Sequence, residues 1–385
     1  MNDSFAMMFE TGEGTGEYKM VTQSNWPTEK YIFNANLSRC ENGSKLSWDN
    51  TKKAVVFSGN VTDKCYVYFD MELMEKPLVD YVKLQYTGVQ GENNIYYHDS
   101  SLTNGAGDNS YRYAGPSEEV NNFVCFGSTE SPCPIDNLYR IIGVFGENYH
   151  GISGEQLVKL IKYDYANSNL LGTNGDYFTA EDPNSTLYLG QLTSITTYHW
   201  NYKGNTTINN GSGSNVWSTS LLNKTNLNNN YLNNIGIEWA NKITVTTWKV
   251  GGNTAANIRG AIPSVAYQNE IVNPRGNAMT GEVLTYKAKI GLMYVSDYGF
   301  AASPSAWTLV GCNNDATQDY RAATNNNWMY MGYYDWTITP QRDHNSSIFI
   351  VDSPGQIDTY SAFYDTSMKK VGVRVVFNLV SFRKL

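Results

Sequence analysis

Three observations predict an α+β protein dominated by short strands. Charged residues make up only 17% of the 385-residue chain, and Asn, Gly, Ser, Thr and Tyr fill much of the rest, a balance that suits strands and turns over long charged helices. Period-two segments recur from the first fifty residues to the last. Four-residue apolar spacing is confined to one stretch, 217–240. The expected organisation is a small antiparallel β domain over 1–75, a connector over 76–118, and a larger domain over 119–385, since a chain of this length can bury more than one core.

In the first region, Lys45–Trp48, a polar Asp49–Lys52 turn and Ala54–Phe57 read as a hairpin, and Cys65–Phe69 follows as the third strand of a meander. Alternation there puts Cys65, Val67 and Phe69 on one face and Tyr66 and Tyr68 on the other. The Gly-, Asn- and Tyr-rich passage after Val82–Tyr86 has no sustained period, hence the connector. Leu138–Phe145 and Leu157–Tyr163, separated by a Gly- and Asn-containing turn, read as antiparallel partners. Trp217 with Leu221, then Leu227, Tyr231 and Ile235, predict two short helices capped by Ser218 and Asn226, diluted by asparagines of modest helical propensity. A strand containing Trp248 comes next. Lys289–Val295 is apolar on both faces and is expected at the centre of a sheet. Val373–Leu379 closes the pattern as a strand with Arg374 and Asn378 on its polar side.

The formal charge of −8 and the absence of any Lys/Arg run argue against nucleic-acid binding. No stretch approaches the roughly 18 consecutive apolar residues of a membrane span, and Met1–Ser4 lacks the features of a signal peptide, so no membrane insertion by this chain is expected. The five cysteines fall as two local pairs, Cys40 with Cys65 and Cys125 with Cys133, plus Cys312. Joining the first pair would close a loop of about 25 residues, which the chain-entropy model values at roughly 3 to 4 kcal/mol. Zinc is disfavoured, because the pairs lack knuckle spacing and the four histidines, at 98, 150, 199 and 344, are scattered. Asp70, Glu72 and Glu75 form an acidic strand end of the ordinary solvated kind, and Gly12–Gly16 lacks the strand-to-helix context of a phosphate loop. No metal or cofactor is predicted from residues, with structural calcium left open.

Met331-Gly332-Tyr333-Tyr334-Asp335-Trp336-Thr337 resembles, one residue shortened, the Met-Gly-Asn-Val-Trp-Glu-Trp-Thr signature of C-type-lectin-like folds of the formylglycine-generating-enzyme type. Gly372-Val373-Arg374-Val375 resembles the closing Gly-Phe-Arg strand of that fold. With Tyr139–Ile142, the 217–232 region, 289–295 and Asn327–Tyr330 in the same order, residues 138–380 are similar to an uncharacterised domain of gut bacteria and their prophages. The resemblance implies a C-type-lectin-like domain whose relatives include variable proteins diversified by retroelements. It also implies enzymatic relatives, but those that use oxygen need a reactive cysteine pair in the C-terminal half, and no cysteine follows Cys312. Iron-dependent sulfur-transfer relatives use three histidines, whereas His150, His199 and His344 have no paired spacing.

The expected function is therefore non-enzymatic recognition of a protein or glycan receptor by residues between Asn325 and Val371, in a phage receptor-binding protein or bacterial surface adhesin. The expected location is the virion surface or the outside of a cell. Tyr333, Tyr334, Asp335, Gln341, Arg342, Asp343, His344, Asn345, Asp358, Tyr360, Phe363, Tyr364 and Asp365 are the candidate contacts, since tyrosines supply contact area at little conformational cost and short polar residues supply adaptable hydrogen bonds. Alternation around an inward Trp336 singles out Tyr333 and Asp335, while Trp328, Trp336, Gly372 and Arg374 read as scaffold. A tail-fibre or filament subunit is the alternative, with homo-oligomers open under either reading. A formylglycine-generating-type enzyme ranks third.

Overall fold

A computed structural model of the chain describes residues 5–12, 15–22, 31–71, 77–146, 150–151, 154–181, 186–202, 213–276, 284–362 and 370–380. It divides into two units, Met1–Glu75 and Lys76–Leu385. Strand outweighs helix, as the composition requires of an α+β, β-dominated chain.

In the first unit, β1 (Phe5–Glu10), β2 (Tyr18–Val21), β3 (Tyr31–Phe33), β4 (Arg39–Cys40) and β7 (Cys65–Met71) make one sheet, and β5 (Lys45–Asp49) and β6 (Ala54–Ser58) make a separate hairpin. The expected meander is corrected, because β7 does not extend the hairpin. It pairs in parallel with β1 and antiparallel with β3 and β4, so the small sheet is mixed. The expected alternation of β7 is present, with Cys65, Val67 and Phe69 buried and both tyrosines half-exposed. Phe9, Val21, Val67 and Phe69 form the core, against which Trp48 and Val55 of the hairpin pack. A disulfide joins Cys40 to Cys65 across the β4–β7 register.

The expected connector is also corrected. Residues 77–118 contribute a helix (Leu78–Leu84) whose Leu78, Val79 and Val82 enter the core, then β8 (Ile95–His98) and β9 (Ser110–Tyr113). Those strands join β10 (Phe123–Cys125), β11 (Leu138–Phe145) and β12 (Leu157–Lys162) in the main sheet. β13 (Tyr177–Glu181) with β14 (Ile195–Tyr198), and β15 (Thr246–Lys249) with β16 (Thr285–Ala288), form two separate hairpins. β17 (Ile290–Gly291) and the closing strand β21 (Val376–Leu379) complete the main sheet, in the order β17-β21-β12-β11-β9-β8 with β10 beside β11. β17 is thus at an edge rather than the centre. The apolar residues after it lose the ladder and enter a helix, Val295–Phe300, buried throughout. Cys125 and Cys133 form the second disulfide.

The asparagine-rich region departs furthest from expectation. Ser218 lies inside a single 3₁₀ turn (Trp217–Thr219), and Asn226 caps nothing, lying inside a π-helix, Leu222–Tyr231. Helical propensity is overridden by side chains that satisfy other segments' backbones. Asn226 Nδ2 donates to the carbonyls of Leu171 and Asn174 while its Oδ1 accepts from Asp176 N, and Asn228 makes both bonds of a strand to Ile290.

Candidate functional site

β18 (Asp335–Pro340), β19 (Ser347–Val351) and β20 (Ile357–Ser361) form a three-stranded antiparallel sheet that carries the candidate contacts. Its first strand is framework. All six residues of β18 are buried, because Asp335 pairs with Val351 on one side and bridges Gly372 on the other. Trp336 Nε1 donates to Tyr198 O at 2.8 Å, and Trp328 Nε1 to Tyr113 O at 2.8 Å.

The expectation that Tyr333 and Asp335 turn outward is therefore corrected. Tyr333 is 7% exposed and packs edge-on against Tyr165 and Tyr188. A segment from 186 to 192 lies over it, with Leu189 N donating to Met331 O and Tyr188 Oη donating to Asp164. The approach is so close that a Cβ on Gly332, at φ +70°, would meet Leu187 O at 1.6 Å. Asp335 is 1% exposed and accepts at Oδ2 from Arg374 Nε at 2.5 Å. Burial pushes its carboxyl up, against the pull of that guanidinium. Arg374 also donates to Met329 O at 2.7 Å. Gly372 completes this framework, since a Cβ there would lie 2.4 Å from the Tyr165 ring. Tyr334 is half-buried beside Tyr333.

The turn from β18 to β19 is what reaches solvent. Asp343 and His344 are exposed at its tip, with Gln341, Arg342 and Asn345 half-exposed. Asn215, itself buried, holds this turn from beneath. Its Nδ2 donates to the carbonyls of Gln341 and His344 at 2.7 Å each and of Ser347 at 3.1 Å, while its backbone N–H donates to Asn345 O. Arg342 N bonds Asn253 O, and Gln341 Nε2 bonds Asp343 Oδ1. The Ser347 hydroxyl lies 2.9 Å from His344 Nδ1. A loop with its backbone fixed in this way gives up little conformational entropy on binding. Asn215→Ala removes one donor from each of three carbonyls and is expected to cost about 1–3 kcal/mol in urea unfolding and to speed amide exchange at 341–346. A variant as stable and as protected as the parent would rule the pin out.

β20 adjoins the turn, since Ala362 N donates to Ser346 O. Its Asp358, Thr359 and Tyr360 are half-exposed, and Arg259, from the helix Ala255–Arg259, bridges the Asp358 carboxylate and the Thr359 hydroxyl. Asp358 and Arg259 keep 37% and 33% of their side chains in solvent, so the pair can be exchanged for a ligand's polar groups at small cost. Phe363, Tyr364 and Asp365 lie outside the described residues, as do Glu72 and Glu75. Asp70 is held by Tyr18 Oη and Asn34 Nδ2.

Among the described residues no cluster of three His, Cys, Asp or Glu side chains could hold a metal ion, and Cys312 is the free thiol. His150 and His199 are buried on separate elements while His344 is on the turn. Residue types alone pointed to the turn and β20. They gave no sign of Asn215 or Arg259, which support the turn and β20 from segments 126 and 99 residues away, nor of Asn253, whose carbonyl holds Arg342 N. No match to the chain is found among protein-family models, curated proteins or solved structures.

Proposed function

We propose that this chain is a non-enzymatic ligand- or receptor-binding protein that presents the 341–346 turn and β20 as its recognition surface. In this reading residues 138–380 adopt the C-type-lectin-like fold that the Met331–Thr337 and Gly372–Val375 segments resemble, and the protein works on a virion or cell surface as a receptor-binding protein or adhesin. The observation that carries it is the pinned turn: Asn215 consumes the turn's carbonyls from below while Arg342, Asp343 and His344 are left to face solvent. The two disulfides are consistent with an extracellular location, and among the described residues no helix is long and apolar enough to cross a membrane.

Fluorescently labelled chain applied to a printed glycan array and to intact bacterial cells is the direct test. Combined Arg342→Ala, Asp343→Ala and His344→Ala substitution is expected to weaken capture of whichever probe binds by roughly tenfold or more, with unchanged thermal unfolding. Equal capture by the triple variant would remove the site, and capture of the chain by neither probe would remove the function.

A further inference from the structure

Lys159 stands on β12, inside the main sheet, and Asp297 is the third residue of the helix Val295–Phe300. Their side chains are each 1% exposed, and Lys159 Nζ lies 3.2 Å from Oδ1 and 3.3 Å from Oδ2 of Asp297. Aromatic rings wall the pair, Phe145 at 4.3 Å and Tyr294 at 5.0 Å from the amine. A buried ion pair by itself is a poor bargain against apolar packing. Here, however, the neighbours are those that amide formation needs. Tyr267 Oη donates to Asp108 Oδ2 at 2.8 Å, so toward His150 Nε2, 3.2 Å away, it is an acceptor. That leaves the His150 Nδ1 lone pair facing Lys159 Nζ at 3.5 Å. On the other side, Tyr294 N–H donates to Asp297 Oδ2 at 3.1 Å.

We propose that Lys159 and Asp297 join autocatalytically in an intramolecular isopeptide bond, with His150 as the base. Burial lowers the basicity of the Lys159 amine, against the pull of Asp297, and so favours the neutral nucleophile. His150 is neutral for the same reason, its value lowered to about 4 by burial first and by Lys159 second. One ammonium proton passes to the Asp297 carboxylate, and the Nζ lone pair attacks Cγ. Negative charge gathers on Oδ2 against the Tyr294 N–H. His150 Nδ1 takes a proton from the attacking nitrogen and returns it to Oδ1. The Cγ–Oδ1 bond breaks, one water leaves, and an Nζ–Cγ amide remains. The balance is an ammonium and a carboxylate for an amide and a water, with no oxidant or outside reagent. Aromatic packing keeps bulk water from reversing it. The product ties together positions 138 residues apart in the chain and turns a costly buried pair into a neutral link. It is independent of the recognition reading.

Mass spectrometry of the full chain, denatured with both disulfides reduced, tests this directly. The expected mass is that of the sequence less one water, with trypsin leaving Lys159 uncut and releasing a branched peptide that joins it to the segment carrying Asp297. Asp297→Asn is expected to give the same branched product by loss of ammonia. His150→Gln is expected to slow its formation by about a hundredfold or more. Full sequence mass with Lys159 cut normally overturns the proposal, and so does a one-water deficit mapped to any other pair of residues.

Discussion

Asp335→Ala is expected to destabilise the chain by about 3–5 kcal/mol in urea unfolding, and Arg374→Met by a similar amount. Both partners are almost wholly out of solvent, at 2% and 3% of their side-chain surface. Removing the carboxylate leaves a guanidinium whose remaining support is Met329 O, the Met293 sulfur and the Tyr165 ring. Removing the guanidinium leaves a buried carboxylate whose Oδ2 has lost its charged donor. The double variant is expected to be more stable than the sum of the single costs allows, because neither orphan charge then remains. A double-mutant cycle would read this as a coupling of several kcal/mol. Simple additivity of the two losses would show that the pair does not act as a unit. Because β18 lies directly before the recognition turn, a loosened Asp335 should also weaken capture in the array and cell assays.

What could be read from the sequence follows the range of the interactions involved. The β5–β6 hairpin, the β11–β12 pair and the local cysteine pairing rest on contacts between nearby residues, and period two or short spacing exposes them. Residues 77–118 escaped because β8 and β9 are only four residues each, separated by a polar loop, and join the sheet through the pairing of β9 with β11. The asparagines of 222–231 read as helix-weakening because propensity is local, whereas their bonds reach Leu171, Asn174 and Ile290. Alternation failed at Tyr333 and Asp335 for a related reason. It presumes one wet face, and here the motif is covered by 186–192 and by the Gly372 segment, neither adjacent in sequence. The part of the site that was legible, Gln341–Asn345, is the part where a turn between two strands must reach solvent.

The second large effect is acid lability. His98 and His150 are buried, and both are held below their ordinary value, His98 well below it by burial and then by Arg112. The groups facing them are Asp108 and Arg112 for both, with Lys159 and Tyr267 also beside His150. In the unfolded chain each takes up a proton near pH 6.5, while in the folded chain His150 stays neutral to about pH 4. Between those values the unfolded state binds more protons, so stability must fall as pH falls. His150 alone is expected to remove about 3 kcal/mol by pH 4, at a slope near 1.4 kcal/mol per pH unit. Glu270 and Asp335 act in the opposite sense, because burial raises their carboxyls and the folded chain protonates them first. Both carboxyls are present in parent and variant alike, so the histidine contribution is read as the difference between the two chains from pH 6.5 down to about 4. Urea unfolding of the parent and of His150→Gln across that window isolates it. The free-energy gap between the two should narrow steadily toward acid, since the variant no longer carries the buried imidazole. A gap that is the same at pH 7 and pH 5 would mean that His150 is protonated or solvated in the folded chain, and the hydrogen-bonded relay from Asp108 through Tyr267 to Lys159 could not then be neutral at its centre.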